Sequence, residues 1–304
     1  MDLETGEKER DIRSGFISII GKTNVGKSTL LNYLLGEKIA IISKRPQTTR
    51  NRILGIKNTQ SAQMIFLDTP GIHKAKSQLN TFMVKEATKT YGEVDIILLT
   101  IEADRPLRDE DHFVIGTIEK REIPIILAIN KVDLVKKASL LPLMDECGKL
   151  GCFKKIIPIS ALTGEGVDTL VKELEQLLPM GPLYFPEEMI TDLPERFIVA
   201  EIIREKIFDL TSQEIPYSVA VVIEEFNEKE ETDTVILRAT IHVEKASQKG
   251  IIIGKKGRLL KEIGTLARMD IENLLGAKVF LELWVKVEKD WSKDIKAMRR
   301  LGYR

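Results

Sequence analysis

The octapeptide Gly21-Lys22-Thr23-Asn24-Val25-Gly26-Lys27-Ser28 has the form G-x-x-x-x-G-K-[ST] and constrains this chain more than any other stretch. An apolar run, Phe16 to Ile20, precedes it and reads as a buried strand. Thr29 to Leu35 follows with apolar residues at helical spacing and is closed by Gly36. Strand, glycine loop and helix in that order form the setting of a phosphate-binding loop. Its two glycines let successive backbone N–H groups and the helix N-terminus face one anion. Gly21, Lys22, Thr23, Asn24, Val25, Gly26, Lys27, Ser28 and Thr29 are therefore the expected cradle of a nucleoside triphosphate. Lys27 is expected on the β- and γ-phosphates, and the Ser28 hydroxyl on Mg²⁺.

From Ser14 to Pro179 short apolar runs alternate with helical patterns. Strands are expected at 16–20, 51–57, 63–68, 94–101, 124–129 and 155–159. Helices are expected near 27–35, 81–91, 108–121, 139–148 and 165–178. This alternation predicts an α/β domain over 14–179, a mostly parallel six-stranded sheet with helices on both faces. Residues 1–13 read as a disordered tail. In such sheets ligands sit beyond the carboxyl ends of the strands, so polar motifs are expected there.

The sequence meets that demand. After the strand Met64 to Leu67 comes Asp68-Thr69-Pro70-Gly71. A carboxylate at that point can hold a Mg²⁺-bound water, and the Gly71 N–H can approach a γ-phosphate without side-chain obstruction. After Pro124 to Ile129 comes Asn130-Lys131-Val132-Asp133. A carboxylate accepts two parallel donors, and guanine offers N1–H and N2–H₂ on one edge where adenine has an acceptor. Asp133 is thus expected to select guanine. Asn130 is expected to strap neighbouring loops, and the Lys131 stem to lie over the ring. Ser160 and Ala161, small residues after the last strand, would let backbone N–H groups reach the guanine O6. The loop Arg45-Pro46-Gln47-Thr48-Thr49-Arg50 is expected to act as a switch, with Thr49 (or Thr48) joining the Mg²⁺ shell when a γ-phosphate is bound.

These five motifs, in this order, resemble the Ras-like GTPase family, specifically its bacterial TrmE–Era–EngA branch. Asn24 and the Thr48-Thr49-Arg50 triplet are the branch-specific residues. The resemblance implies GTP hydrolysis, with Lys27, Thr49 and Asn24 taking part. It also implies Mg²⁺ on Ser28 and Thr49 and, through water, on Asp68. One departure stands out. Ile72 follows the Asp68–Gly71 motif where Ras-like enzymes carry the glutamine that orients water. Isoleucine cannot hydrogen-bond, so slow intrinsic hydrolysis is expected. His73 reads as a solvent-facing loop residue. The resemblance also implies a K⁺ ion at Asn24 in place of an arginine finger.

Pro179, Gly181, Pro182, Pro186 and Pro194 punctuate the stretch that follows, and 180–195 reads as a semi-rigid linker. Residues 196–290 show the order α-β-β-α-α-β. Arg196 to Phe208 is the expected helix, Tyr217 to Ile223 and Thr234 to Val243 strands joined by an acidic turn, and Lys278 to Val287 the closing strand. The helix between is expected to bury Leu259, Ile263, Leu266, Leu274 and Leu275. Gly254-Lys255-Lys256-Gly257 falls between two helices, where glycines allow close approach to a sugar–phosphate chain and a helix N-terminus faces it. From Lys245 to Arg268 seven basic residues stand against one acidic residue, Glu262. Ile253, Gly254, Lys255, Lys256, Gly257 and Arg258 are the expected RNA contacts, with Ile251 to Ile253 flanking a groove for unstacked bases.

This arrangement resembles a type II KH domain, a smaller α+β fold that clamps about four nucleotides of a single strand. Together the two resemblances imply an RNA-binding GTPase acting on single-stranded 16S rRNA near its 3′ end during small (30S) subunit maturation. The balance of 46 basic and 46 acidic residues means that a polyanion must be met by such a local patch. DNA is not an expected partner, and a monomer is. The polar, acidic start, Met1 to Arg10, does not read as a signal peptide, and Cys147 and Cys152 read as free thiols of a reducing cytosol. Residues 291–304 read as a basic tail able to add RNA or peripheral membrane contact. Two other functions compete: a membrane-associated signalling GTPase without nucleic acid, and a phosphotransferase using the same loop.

Overall fold

The structure, a computed structural model, describes residues 12–43, 48–71, 94–119, 121–212, 215–229 and 233–303. These fall into two compact units. The first takes in 12–36, Ile53–Asp68 and 94–192, and the second 37–43, 48–52, 69–71 and 193–303.

In the first unit the strands are β1 (Ile12–Ile20), β2 (Ile53–Asn58), β3 (Ala62–Asp68), β4 (Ile96–Glu102), β5 (Ile125–Asn130), β6 (Lys155–Pro158) and β7 (Met180–Gly181). The sheet order is β2-β3-β1-β4-β5-β6, with β7 on β1. Strands β3, β1, β4, β5 and β6 run parallel, while β2 forms a hairpin with β3. The near-continuous apolar runs of β1, β3, β4 and β5 are buried along almost their full length, as parallel strands covered on both faces must be, while the edge strand β6 buries only Ile157. The covering helices are α1 (Lys27–Leu35), α2 (Asp109–Ile118), α3 (Leu140–Lys149) and α4 (Val167–Leu177). Each buries one stripe at helical spacing, Val167, Leu170 and Leu174 on α4 for instance. The register pairs Ile19 with Asp68 and Glu102 with Asn130, so these chain segments reach the same sheet edge together. The helix expected at 81–91 lies outside the described residues, as do residues 1–11.

Two expectations change here. Residues 12 and 13 are not tail but the start of β1, held by Arg13 N–H on Ser61 O at 2.9 Å and by pairing with β7. The sheet consequently has seven strands rather than six. The stretch expected as a linker is strapped to this unit through Asp192. The Gln63 side chain, fully buried on β3, accepts from Tyr184 N–H (2.8 Å) and Phe185 N–H (3.0 Å) and donates to Phe185 O (2.8 Å). Ile56 N–H donates to Ile190 O at 2.8 Å, and the Thr191 hydroxyl to Leu54 O at 2.7 Å. A buried amide and an open sheet edge both need partners, and the proline-rich chain supplies them.

The second unit contains α5 (Glu195–Leu210), β8 (Val219–Lys229), β9 (Thr234–Val243), α6 (Ala246–Ile253), α7 (Arg258–Leu275), β10 (Lys278–Val287) and α8 (Ile295–Arg300). Its sheet order is β10-β9-β8, β10 parallel and β8 antiparallel to β9. The α+β order is as expected, but β8 runs to Lys229 and shortens the acidic turn. On α7 the buried stripe is Ile263, Ala267 and Ile271, spaced by four, while Leu266 is 38% exposed. The segment after β10, expected as a basic tail, packs into the second unit. Trp291 is fully buried, donates its indole N–H to Ser218 O at 3.0 Å and stacks on Tyr303 with centroids 5.4 Å apart. Ala297, Met298 and Leu301 complete that cluster. Its apolar residues recur among the charges, and burying them outweighs the basic character of the segment.

Candidate functional site

The phosphate loop is assembled by a short approach between its backbone at Gly26 and the Asn130 side chain. Gly26 has φ 97°, a left-handed conformation, and a Cβ there would lie 2.2 Å from the Asn130 side-chain nitrogen. Glycine is therefore required both by conformation and by space. The Lys27 ammonium, 6% exposed, donates to the carbonyls of Lys22 (2.8 Å) and Gly21 (3.3 Å). Burial pushes its pKa down to about 8, opposed in part by the Asp68 charge. The Ser28 hydroxyl donates to the Asp68 carboxylate at 2.7 Å, so the two expected Mg²⁺ positions of this unit meet. A hydroxyl and a carboxylate are hard oxygen donors, and the pair fits a small divalent cation. Such an ion would neutralise charge on bound phosphates. Asn24 is exposed with φ 65°. Asparagine is among the few side chains that tolerate this conformation, a local reason for its presence beside the expected ion.

On the base side, Asn130 donates from Nδ2 to Val25 O at 2.8 Å and accepts at Oδ1 from Ala161 N–H at 2.8 Å. One buried side chain thus ties the phosphate loop to the loop after β6, as expected of a strap. The Ser160 hydroxyl donates to Asp133 at 2.6 Å and also accepts Thr163 N–H, which fixes the orientation of the carboxylate. Lys131 takes a left-handed φ of 69° and bonds to Glu102 Oε1. Burial would raise the Glu102 pKa, but Lys131 and Arg105 outweigh it and hold the carboxyl below its ordinary range. Glu102 and Arg105 were not found as site residues in the sequence. The one signal was a carboxylate ending a strand.

Thr48 and Thr49, with Thr69, Pro70 and Gly71, group with the second unit. Thr48 and Thr49 are buried, 9% and 7% exposed, and Thr69 wholly so. Arg50 anchors this segment. Its guanidinium, 2% exposed, donates to Val219 O (2.8 Å), Tyr303 Oη (2.6 Å), Pro216 O (2.9 Å) and Tyr217 O (3.1 Å). Arg204 donates to Thr48 O at 2.5 Å. Arg50 entered the sequence reading only as part of a triplet, and its partners could not be read there. Ile72 and His73 lie outside the described residues.

The second glycine loop joins α6 to α7. Gly254 has φ 70°, and a Cβ there would meet Leu259 Cβ at 2.8 Å. Lys256 is left-handed at φ 54°, and Lys255, Lys256 and Arg258 are exposed. Beside the loop a groove of about 460 Å³ runs between α7 and β10. Leu260, Gly264, Leu281 and Leu283 form its apolar surface, with Lys261 and Arg268 among the polar residues. The expected apolar flank is only partly correct. Ile252 is in the core, fully buried, and Ile251 is half exposed. Two cations, Lys261 and Arg268, stand against one carboxylate, Glu282, and with an apolar floor and a glycine loop they are features that suit a single strand with unstacked bases. The groove residues of β10 were missed because strand alternation marks them equally well as core.

Comparison with known proteins gives a consistent picture. The family profile described as 50S ribosome-binding GTPase matches residues 16–131, and that of the KH domain matches 214–292. GTPase Era of Syntrophus aciditrophicus is 56% identical over 291 residues, covering 96% of this chain and 95% of that protein. GTPase Era of Geotalea uraniireducens is 53% identical over 97% of this chain and 99% of its own length. A crystal structure of Era with MgGDPNP and nucleotides 1506–1542 of 16S ribosomal RNA is similar with TM-score 0.92 and 45% identity, covering 96% of this chain and 99% of that one. An Aquifex aeolicus Era variant bound to GDP·AlF4⁻ matches equally, at TM-score 0.92 and 45% identity over the same shares.

Proposed function

The chain belongs to the GTPase Era family, and we propose that its two glycine loops work as the input and output of one RNA-binding switch. The chain is a GTPase, converting GTP to GDP and phosphate, with a C-terminal KH domain. The observation that carries the reading is the Asn130 strap, which makes a guanine-selective loop and a phosphate loop into one rigid receptor.

In this reading Lys27 and the N–H groups of Gly21 to Thr29 hold the phosphates. Ser28, Thr49 and, through water, Asp68 hold Mg²⁺. Asp133, Lys131, Ser160 and Ala161 hold the base, while Thr69, Pro70 and Gly71 answer to the γ-phosphate. The KH groove, together with the adjoining loop Ile253 to Arg258, takes single-stranded RNA near the 3′ end of 16S rRNA and so serves 30S subunit maturation. The relative crystallised with MgGDPNP and that rRNA segment supports both assignments. Domains are proposed as the GTPase through residue 179, the strapped connector 180–195, the KH domain 196–290, and the closing segment 291–304. The protein acts as a cytoplasmic monomer. No helix among the described residues is long and apolar enough to cross a membrane.

Hydrolysis is slow without a partner, because Ile72, directly after Gly71, cannot hydrogen-bond to water, and K⁺ near Asn24 accelerates it. Equal turnover in K⁺ and Na⁺ buffers, or a K⁺ effect that survives Asn24→Ala, removes the ion from this scheme. Crosslinking of the protein to RNA in GTP and GDP states, mapped to single nucleotides, tests the whole reading. Crosslinks near the 16S 3′ end are expected, and crosslinks spread over messenger RNA would overturn it. Peripheral membrane contact is the weaker reading, since Trp291, Ala297, Met298, Leu301 and Tyr303 lie in the core and only Ile295 of that segment's large apolar residues is exposed. Pull-down on anionic vesicles against RNA separates the two.

A further inference from the structure

Five charged side chains, of which Lys22 and Lys131 belong to the recognised motifs and Glu102, Arg105 and Asp111 do not, form an unbroken chain in the first unit. Lys131, in the base loop, bonds to Glu102 Oε1. Arg105 grips Glu102 Oε2 with Nη2 at 2.7 Å and Nε at 3.0 Å, and reaches Asp111 Oδ2 with Nη1 at 3.0 Å. Asp111 Oδ2 also receives Lys22 Nζ at 3.1 Å and the Arg108 N–H at 3.0 Å. Lys22 belongs to the phosphate loop. The side chains are substantially or almost wholly withdrawn from solvent: Asp111 is 2% exposed, Lys22 9%, Arg105 15%, Glu102 16% and Lys131 30%.

The placement follows from strand register. Glu102 ends β4 directly beside Asn130 at the end of β5, and Ala103 N–H donates to Asn130 O at 2.8 Å. The carboxylate therefore stands at the one point from which it can reach the lysine that follows Asn130. Charges alternate along the chain, so each group has an opposite neighbour, and Glu102 is the partner whose loss would leave Lys131 unpaired. A structural role, capping α2 through Asp111, accounts for one end. It does not account for Glu102, which lies on no helix and whose two oxygens go to Lys131 and Arg105.

We propose that Glu102 and Arg105 are positioning residues of the guanine site, holding the Lys131 stem in place before nucleotide arrives and tying it to Lys22 of the phosphate loop. The proposal rests on the nucleotide reading given above. A free lysine loses rotamer freedom when it settles over a base, whereas a lysine already held by Glu102 does not. The base is gripped alike in ground and transition states, so the effect belongs in binding and not in turnover.

The test uses the full-length chain and fluorescent GDP. Glu102→Gln, which keeps shape but loses charge, is expected to raise the GDP Kd and the GTP KM about three- to tenfold with kcat unchanged. In a Lys131→Met background the same substitution is expected to have no further effect, a coupling that a merely structural residue would not show. Glu102→Asp retains the charge but withdraws it by one methylene, and is expected to behave like Glu102→Gln. Arg105→Lys, which loses the two-pronged grip, should weaken GDP in the same sense. Unchanged GDP affinity in both Glu102 variants overturns the proposal, as does an equal loss with and without Lys131. Failure of the unmodified protein to bind GDP would instead remove the nucleotide reading, and the positioning role with it.

Discussion

The Arg50 guanidinium and the Tyr303 hydroxyl, 253 positions apart in the chain, are hydrogen-bonded at 2.6 Å. The guanidinium carbon also lies 5.6 Å from the centre of the Tyr303 ring, which stacks on Trp291. A residue from the loop expected to answer to GTP is thus held by the last turn of the second unit.

Arg50→Ala would leave three backbone carbonyls and one hydroxyl of a buried pocket without their donor. It should destabilise the second unit by about 2–4 kcal/mol, and Tyr303→Phe, which deletes one acceptor, by about 1 kcal/mol. Denaturant unfolding followed by tryptophan emission measures both, since Trp291 reports on the pocket. Equal stability of all three proteins would show that Arg50 is only resting there.

Base selection is expected to rest on Asp133, whose carboxylate is fixed by Ser160. Asp133→Asn replaces an acceptor by a donor opposite N1–H and N2–H₂. Guanine affinity should fall by roughly 10⁴, while xanthine, which carries a carbonyl in place of the amino group, should gain. Competition of XDP and GDP for the variant reads out the change. Retention of guanine preference would move the specificity elsewhere.

Lys255 and Lys256 are exposed in the loop whose last residue, Gly257, lines the α7–β10 groove. If both neutralise phosphates, changing the pair to alanine should lower the salt dependence of single-stranded RNA binding by about 1.4 in log–log slope. Gly254→Asp should be more severe, because its side chain meets Leu259 and its charge repels the strand. An unaltered slope in the double variant would place the phosphates on other cations.

The two cysteines should differ in chemistry. Cys147 is fully buried on α3, and burial, aided by Glu146 and Asp111, pushes its thiol up to about 11. Cys152 is partly exposed, its pKa raised mainly by burial. A thiol reagent at pH 8 is expected to label Cys152 first and Cys147 only on unfolding. Between about pH 9 and about 11 the unfolded chain ionises Cys147 while the folded one does not. Stability from this group is therefore level below pH 9 and falls as pH rises through that window. Simultaneous labelling of both thiols in native protein would contradict the burial.

What the sequence determined by itself was whatever depends on contiguous residues. Gly21 to Ser28, Asn130 to Asp133 and Gly254 to Gly257 each fix their own backbone shape, and each turned up at a strand end or between two helices as expected. Their chemistry was legible because glycine conformation, helix polarity and carboxylate geometry act within a few residues. Tertiary structure alone decided the rest. Glu102 meets Lys131 because β4 and β5 pair in one register, and a slip of one residue would send the side chain to the other face. Gln63 captures the proline-rich connector because a buried amide must be satisfied. Arg50 finds Tyr303 through the packing of segments far apart in the chain. No local pattern encodes such meetings, since a charged residue reads the same in sequence whether solvent or a buried partner awaits it.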